Sequence, residues 1–197
     1  MEFQDVVRKR KMVRSFEPKP VPPEVLERVL ANARRAPSAG HSQGWAFLVL
    51  EGQRQTAKFW DLVLSGEERA RFGWPKLFDA PVVVVCLSEK DVYLARYAEP
   101  DKGWSDRSES RWPVPFWDID SAMAAMLILL TAVDAGLGAL FFGIRRVSEF
   151  RAAFGVPERV TPIGAVALGY PAGADRPSPS LRRGKRDPQQ VVHRGRW

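Results

Sequence analysis

Basic residues gather near the start of the chain at a spacing that suits an anion. Arg8, Lys9, Arg10, Lys11 and Arg14 follow one another closely. Arg10 and Arg14 are four apart, so one more helical turn or a bend places both on a single phosphate. Each charge-assisted bond of that kind contributes about 1.5–3 kcal/mol. A solvated basic face is the plainer account of such a run, and spacing alone does not choose between the two. A second group lies in Ala36–Trp45, APSAGHSQGW. Ser38, His41 and Gln43 can hydrogen-bond the polar edge of a ring system, and the neighbouring glycine lets a ligand come close. The plainer account here is a turn joining a helix to a strand. A third basic group sits in the tail Gly173–Trp197, which carries Arg176, Arg182, Arg183, Lys185, Arg186, Arg194 and Arg196.

Other chemistries find little support. The histidines are His41 and His193, with no Cys/His pair at ligand spacing, so no metal site is expected. There is no G-x-S-x-G elbow for a serine hydrolase and no P-loop. Gly136-Leu137-Gly138 precedes a predicted strand and not a helix, so it is no Rossmann fingerprint. The single cysteine, Cys86, lies inside the apolar run Pro81–Leu87 and reads as core, not as a nucleophile. One cysteine forms no internal disulfide, so nothing points to an oxidising compartment.

The chain has 197 residues, 45% hydrophobic and 27% charged, with a formal net charge of +7. That is globular composition and enough chain for one domain with a sizeable core. The positive balance suits nucleic acid, an acidic membrane surface or a phosphorylated small molecule. No signal-peptide core follows the first Met. The most apolar stretch, Ala122–Ile144, is broken by Asp134, Gly136, Gly138 and Gly143. It reads as a buried helix followed by a strand, so no membrane span and a cytoplasmic location are expected.

The periodicities place these groups on elements. Glu2–Arg10 reads as a short amphipathic helix, and Lys11–Pro23 as an extended stretch. A helix then opens on Pro22-Pro23, with Val25, Leu26, Val29, Leu30 and Ala33 inward, and Pro37 ends it. Trp45–Leu50 reads as a strand, and Arg54–Leu64 and Lys90–Tyr97 as helices. Pro81–Leu87 reads as a strand buried on both faces. Glu99–Trp117 mixes charges, prolines and Trp104, Trp112 and Trp117, and reads as a long loop or lid outside the core. Asp118–Ala135 is the longest helical signal, with Asp120 and Ser121 as candidate caps and Gly136 as its stop. Leu137–Ile144 and Pro162–Gly169 read as strands, with a short helix Ser148–Phe154 between them. The expected fold class is α+β, mixed strands around a central helix, in one domain of residues 1–197.

In order, these motifs resemble the nitroreductase family of flavoproteins. Arg10-Lys11-Met12-Val13-Arg14-Ser15-Phe16 is similar to that family's opening R-R-S-x-R-x-F, and APSAGHSQGW to its A-P-S-x-x-N-x-Q-P-W. Asp118–Ala135 with GLGALFFG resembles its central helix and G-L-G strand. LGYP and Lys185-Arg186-Asp187-Pro188 resemble its end. The likeness runs through nearly the whole chain. It implies a mixed, mainly antiparallel sheet flanked by helices and a central buried helix. It further implies an intertwined homodimer with FMN between the subunits and the tail 173–197 wrapped on the partner. Arg10, Lys11 and Arg14 would hold the phosphate, ribityl chain or pyrimidine edge, with Met12 a cofactor-binding residue among them that lacks the usual serine's hydrogen bond. Ser38 and His41 would line the flavin from the partner subunit, and Pro37, Ala39 and Gln43 would be cofactor-binding residues beside them. Phe142 and Gly143 would approach the ring, with a backbone N–H near N5. Arg186, or its neighbours Arg183 and Lys185, would reach the phosphate. Met12 stands where the family has serine, His41 where asparagine is common and Gly44 where proline is common.

The implied activity is ping-pong electron transfer from NADPH or NADH through the flavin to a small-molecule acceptor such as a nitroaromatic or quinone. Trp104, Trp112 and Trp117 of the lid-like segment 99–117 are candidate stacking partners for that acceptor. Relatives of the fold dehalogenate aromatics, oxidise heterocycles, fragment FMN or act as sensors, and a deazaflavin is an alternative ligand. A nucleic-acid-binding module is a remote alternative: its recognition signatures are missing and the basic residues sit at the termini.

Overall fold

The computed structural model describes residues 1–173 and 175–197. A four-stranded antiparallel sheet in the order β1-β2-β4-β3 forms the centre. The strands are β1 (Trp45–Glu51), β2 (Val82–Glu89), β3 (Gly138–Phe142) and β4 (Val160–Gly169). β2 pairs with β1 from Trp45 opposite Ser88 to Glu51 opposite Val82.

β2 is buried on both faces, as the run PVVVVCL predicts, because alternate side chains enter two different cores. Val83, Val85 and Leu87 meet Phe59, Trp60 and Phe150 on one side. Val82, Val84 and Cys86 meet Leu26, Val29, Ala125, Ile128 and Leu129 on the other. The first layer is supplied by helices α3 (Gly52–Val63) and α7 (Val147–Phe154). The second comes from α2 (Pro23–Ala33) and the long α6 (Phe116–Asp134). Burial of Cys86 pushes its thiol up to about 12. A thiol so protonated and enclosed is no nucleophile at neutral pH. Thiol reagents at pH 8 are expected to label Cys86 only as fast as the chain unfolds; rapid labelling of the folded protein would contradict this core.

α6 starts at Phe116, two residues before the expected start, so Asp120 and Ser121 are inside the helix and not at its cap. Trp117 thereby joins the core instead of a lid: it is 8% exposed. The C-terminus of α6 is as the glycine predicts. Gly136 has φ 74°, the Leu137 N–H donates to the Ala132 carbonyl at 2.8 Å, and the Gly136 N–H donates to Val133 at 3.0 Å. That is the Schellman closure, and Leu137 is buried in the same core as Ala132. Among the described residues α6 is the one helix long and apolar enough to cross a membrane, yet half of that window is buried inside the fold.

α1 (Phe3–Lys9) lies at the C-terminal end of α6, where the Met1 ammonium meets Asp134 at 2.6 Å. Beyond it the chain runs extended along the sheet. Met12 bridges Ala139 of β3 and Phe16 bridges Pro171. The remaining helices are α4 (Gly66–Ala70) and α5 (Lys90–Tyr97).

The tryptophans of segment 99–117 pack together while most of the segment around them is exposed. Trp112 packs on Tyr97, Trp104, Tyr93 and Trp117 with ring centroids 4.5, 5.4, 6.0 and 5.9 Å away. Aromatic residues of α5 and the first turn of α6 supply the partners that the sequence alone does not reveal. From Pro179 onward the tail is exposed, with short 3-10 turns at Pro179–Arg183 and Pro188–Gln190. Leu181, Val191, Val192 and Trp197 stand open to solvent.

Candidate functional site

The basic segment is fixed to the edge of the sheet. α1 ends at Lys9, and the next residues turn into a strand-like path. The Val13 N–H donates to the Ala139 carbonyl at 3.0 Å, and the Val13 side chain packs against Gly138, where a Cβ would collide with it. With Val13 buried, Arg10, Lys11, Met12 and Arg14 are left to line one cleft of about 390 Å³ together with Ser178, Ser180 and Leu181 of the tail. A bend, not a further helical turn, therefore brings Arg10 and Arg14 to one place.

Arg14 also lines a second, larger cleft of about 620 Å³. Its walls are largely apolar: Trp60, Leu64, Phe72, Leu140, Phe141 and Phe142. Phe142 stacks on Trp60 at 5.2 Å and 22°. At Gly143, the exit of β3, a Cβ would meet nothing, so the backbone there opens onto the cleft. Arg14 is held by its own N–H and guanidinium bonds. The guanidinium donates to the Met12 carbonyl at 3.2 Å and lies 5.4 Å from the Trp74 ring centre. Arg176 stands over the same ring at 5.4 Å, and the Trp74 indole N–H donates to the Arg176 carbonyl at 3.0 Å.

The anion-binding character of the smaller cleft is visible in its own carboxylate. Asp175 lines it and accepts the Arg14 N–H at 3.0 Å. A protein carboxylate thus already occupies an amide beside three cationic side chains. A phosphate there would meet Arg10, Lys11 and Arg14, and a flat aromatic ring system would fit the adjoining apolar cleft at Gly143. The two clefts share Arg14 as a lining residue, so the side chains present suit the phosphate of an FMN on one side of it and a flat ring on the other.

The mouth of the larger cleft is tied by Glu68 of α4. Its carboxylate accepts Arg145 at 2.7 Å and Arg146 at 3.2 Å, and closes a capping box with Ser65 at 2.7 and 3.2 Å. These bonds to Ser65 and the two guanidinium groups hold the Glu68 carboxyl below its usual range, the Ser65 backbone N–H first among them.

The loop 36–45 lies elsewhere. Ala39–His41 forms one 3-10 turn, and Gly40, His41 and Gln43 all have positive φ, at 61°, 55° and 55°. Two of these are not glycine, and such backbone persists only where its surroundings impose it. Asp120 does so: its buried carboxylate accepts the Ala39 N–H at 2.8 Å and the Tyr93 hydroxyl at 2.9 Å. Burial and this bond to Asp120 raise the Tyr93 phenol well above its ordinary value, so it stays a donor. Arg96 donates to the Gly40 carbonyl at 3.0 Å, and the Tyr93 ring and Glu89 carbonyl leave no space for a Cβ at Gly44. Ser38 Oγ accepts the Gln43 N–H at 3.0 Å, and the His41 and Gln43 side chains are exposed. Pro37 precedes the turn without regular structure. Asp120→Ala is expected to lower stability by about 2–3 kcal/mol, because the buried Tyr93 hydroxyl and the half-buried Ala39 N–H lose their acceptor. A urea unfolding midpoint unmoved by the change would contradict this role.

Asp120, at the loop, and Asp134, at α1, are separated by about 21 Å along α6 at 1.5 Å per residue. Within one chain the residues expected to surround one ligand therefore fall into two groups. Arg10, Lys11, Met12, Arg14, Phe142 and Gly143 line the joined clefts, while Pro37, Ser38, Ala39, His41 and Gln43 line neither. Arg183, Lys185 and Arg186 are exposed on the tail and also stand outside both clefts, with Arg186 donating to the Gln190 carbonyl at 2.9 Å. Trp112 packs on both Trp104 and Trp117, and none of the three lines the two clefts that share Arg14. Sequence reading missed Trp60, Arg71, Trp74, Asp120, Arg145 and Asp175. Each reaches its place through a fold contact and carries no local motif.

Comparison with known proteins assigns this architecture to a class. The chain belongs to the Nitroreductase family, whose profile matches residues 7–170. A Methanothermobacter thermautotrophicus chain with the provisional name NADH dehydrogenase/NAD(P)H nitroreductase is 29% identical, over 87% of this chain and 78% of that one. An NADH dehydrogenase of Thermus thermophilus is also 29% identical, over 88% of each. Among solved structures, a nitroreductase family protein of Clostridium difficile 630 superposes with a TM-score of 0.73 at 21% identity, over the full length of both chains. An FMN-dependent nitroreductase of Clostridium difficile R20291 gives 0.67 at 21% identity over 98% of each. The fold is the nitroreductase fold, and the family and its relatives mark the chain as an oxidoreductase of flavin type.

Proposed function

We propose that this chain is an FMN-dependent oxidoreductase that takes electrons from NADH or NADPH and passes them to an electron-poor aromatic or quinone acceptor. The observation that carries the reading is Arg14, which joins a cationic cleft to an apolar one beside the open backbone at Gly143. FMN, when bound, supplies the hydride acceptor and donor, and the protein supplies position and charge. Arg10, Lys11 and Arg14 hold the phosphate end. Trp60, Phe141 and Phe142 exclude water from the ring cleft. Arg14 places positive charge where a reduced ring system gathers negative charge.

The homodimer belongs to this proposal. Two surfaces without a partner in the single chain support it. Ile119, Met123 and Met126 are exposed on α6 at i, i+4 and i+7, and Phe3 and Val7 are exposed on α1. A second copy seated on that stripe covers it and can bring its Ser38, His41 and Gln43 toward the joined clefts. The exposed Val191, Val192 and Trp197 suit a tail packed on the partner. A cytoplasmic location, without membrane or nucleic-acid partner, completes the reading.

Steady-state kinetics with a panel of nitroaromatics, quinones and halogenated phenols test it. The expected outcome is a set of parallel double-reciprocal lines with one of the two nicotinamides as donor. Intersecting lines, or no turnover with either nicotinamide, would overturn the proposed reaction.

A further inference from the structure

The larger cleft carries more positive charge than a neutral acceptor needs. Its apolar walls are rimmed by Arg14, Arg71 and Arg145 against one carboxylate, Glu68. Both oxygens of that carboxylate are already engaged, one with Arg145 and the other with Arg146 and the Ser65 N–H. Arg14 is assigned above to the cofactor. Arg71 remains: its backbone N–H closes α4 on the Glu67 carbonyl, and its exposed guanidinium has no hydrogen-bond or ion-pair partner among the described residues. Glu68 and Arg71 are three residues apart, so both stand on the side of α4 that borders the cleft.

We infer that the cleft selects flat aromatic acceptors that carry a carboxylate, with Arg71 as its primary partner and Arg145 as a second that Glu68 holds in reserve. This rests on the flavoenzyme reading and names the substrate class of the same site. The chemistry is direct. Phe72 and Leu64, which are not among the side chains assigned to the flavin ring, supply an apolar wall for the acceptor's own ring. A guanidinium fork at the rim binds a carboxylate with two parallel bonds and more tightly than it binds an amide. Glu68 is a competitor for Arg145, so its charge tunes the preference for an anionic ring.

The test uses the protein loaded with FMN and left oxidised, so that binding is read without turnover. Benzoate and benzamide are titrated separately, and the shift of the flavin absorption band gives each dissociation constant. Wild type is expected to prefer benzoate about tenfold, the worth of one charge-assisted bond beyond the neutral one. Arg71→Ala is expected to bring that ratio close to one. Glu68→Gln keeps the capping-box acceptor but removes the competing charge, and is expected to raise the ratio several-fold. Raised salt lowers the ratio in all three. A yellow wild-type protein with equal affinity for acid and amide, or a ratio that Arg71→Ala leaves unmoved, overturns the carboxylate preference alone. A chain that takes up no flavin overturns the flavoenzyme reading itself, and the spectrum shows this before either titrant is added.

Discussion

Arg14→Ala is expected to weaken FMN binding about a hundredfold. Arg14 lines both clefts, so the substitution removes charge from the phosphate end and from the ring end together. Loss of one or two charge-assisted bonds at about 1.5–3 kcal/mol each corresponds to that factor. The backbone does not depend on the side chain, because Val13 and its bond to Ala139 hold the segment to β3. The folded state should therefore survive, with a thermal midpoint close to that of the parent protein. Arg14→Lys restores the charge but not the planar fork or its stacking on Trp74, and is expected to fall between the two. Titration of the apoprotein with FMN, followed by quenching of flavin fluorescence, reads all three. Equal affinity in Arg14→Ala and the parent would remove Arg14 from the site.

Met126→Glu is expected to produce monomers and to release FMN at the same time. Met126 is 46% exposed in the single chain, near the middle of α6. On the surface of a monomer a glutamate there costs little. Buried against a second copy it is an unpaired charge, with a penalty of about 3–5 kcal/mol, or a hundredfold or more in the dimer constant. Sedimentation at micromolar concentration separates the two cases. The coupling is the sharper part: if the loop at Ser38–Gln43 completes the partner's site, monomers lose flavin even though Arg10, Lys11 and Arg14 are untouched. A monomeric Met126→Glu protein that stays yellow would mean that one chain holds the whole site.

The elements with the strongest periodic signals were readable from the sequence. The run PVVVVCL reads as a strand buried on both faces, and alternate residues do enter two cores. Gly136 marks the end of α6 because the closure needs a residue with positive φ. The N-terminal basic run and the exit of β3 were readable as candidates because a local motif carries them, and the fold places both along the two clefts that Arg14 lines. Segment 99–117 was not: prolines and charges hide the fact that its tryptophans share partners on α5 and α6. Asp120 was misplaced as a helix cap for a related reason. An aspartate near a helix start usually caps it, but here Pro115 precedes an earlier start and Asp120 turns inward to bind the Ala39 N–H and Tyr93. Arg71 and Asp175 reach the clefts, and Trp74 reaches Arg14, only through long-range packing, which no spacing along the chain announces.

The most direct test is the visible absorption spectrum of the purified protein, reconstituted with FMN and then mixed with NADH or NADPH without oxygen. The account predicts a yellow protein with one flavin per chain, whose absorption near the flavin maximum is lost when a nicotinamide is added and returns when an acceptor follows. A protein that takes up no FMN, or that binds it and is bleached by neither nicotinamide, would contradict the central claim.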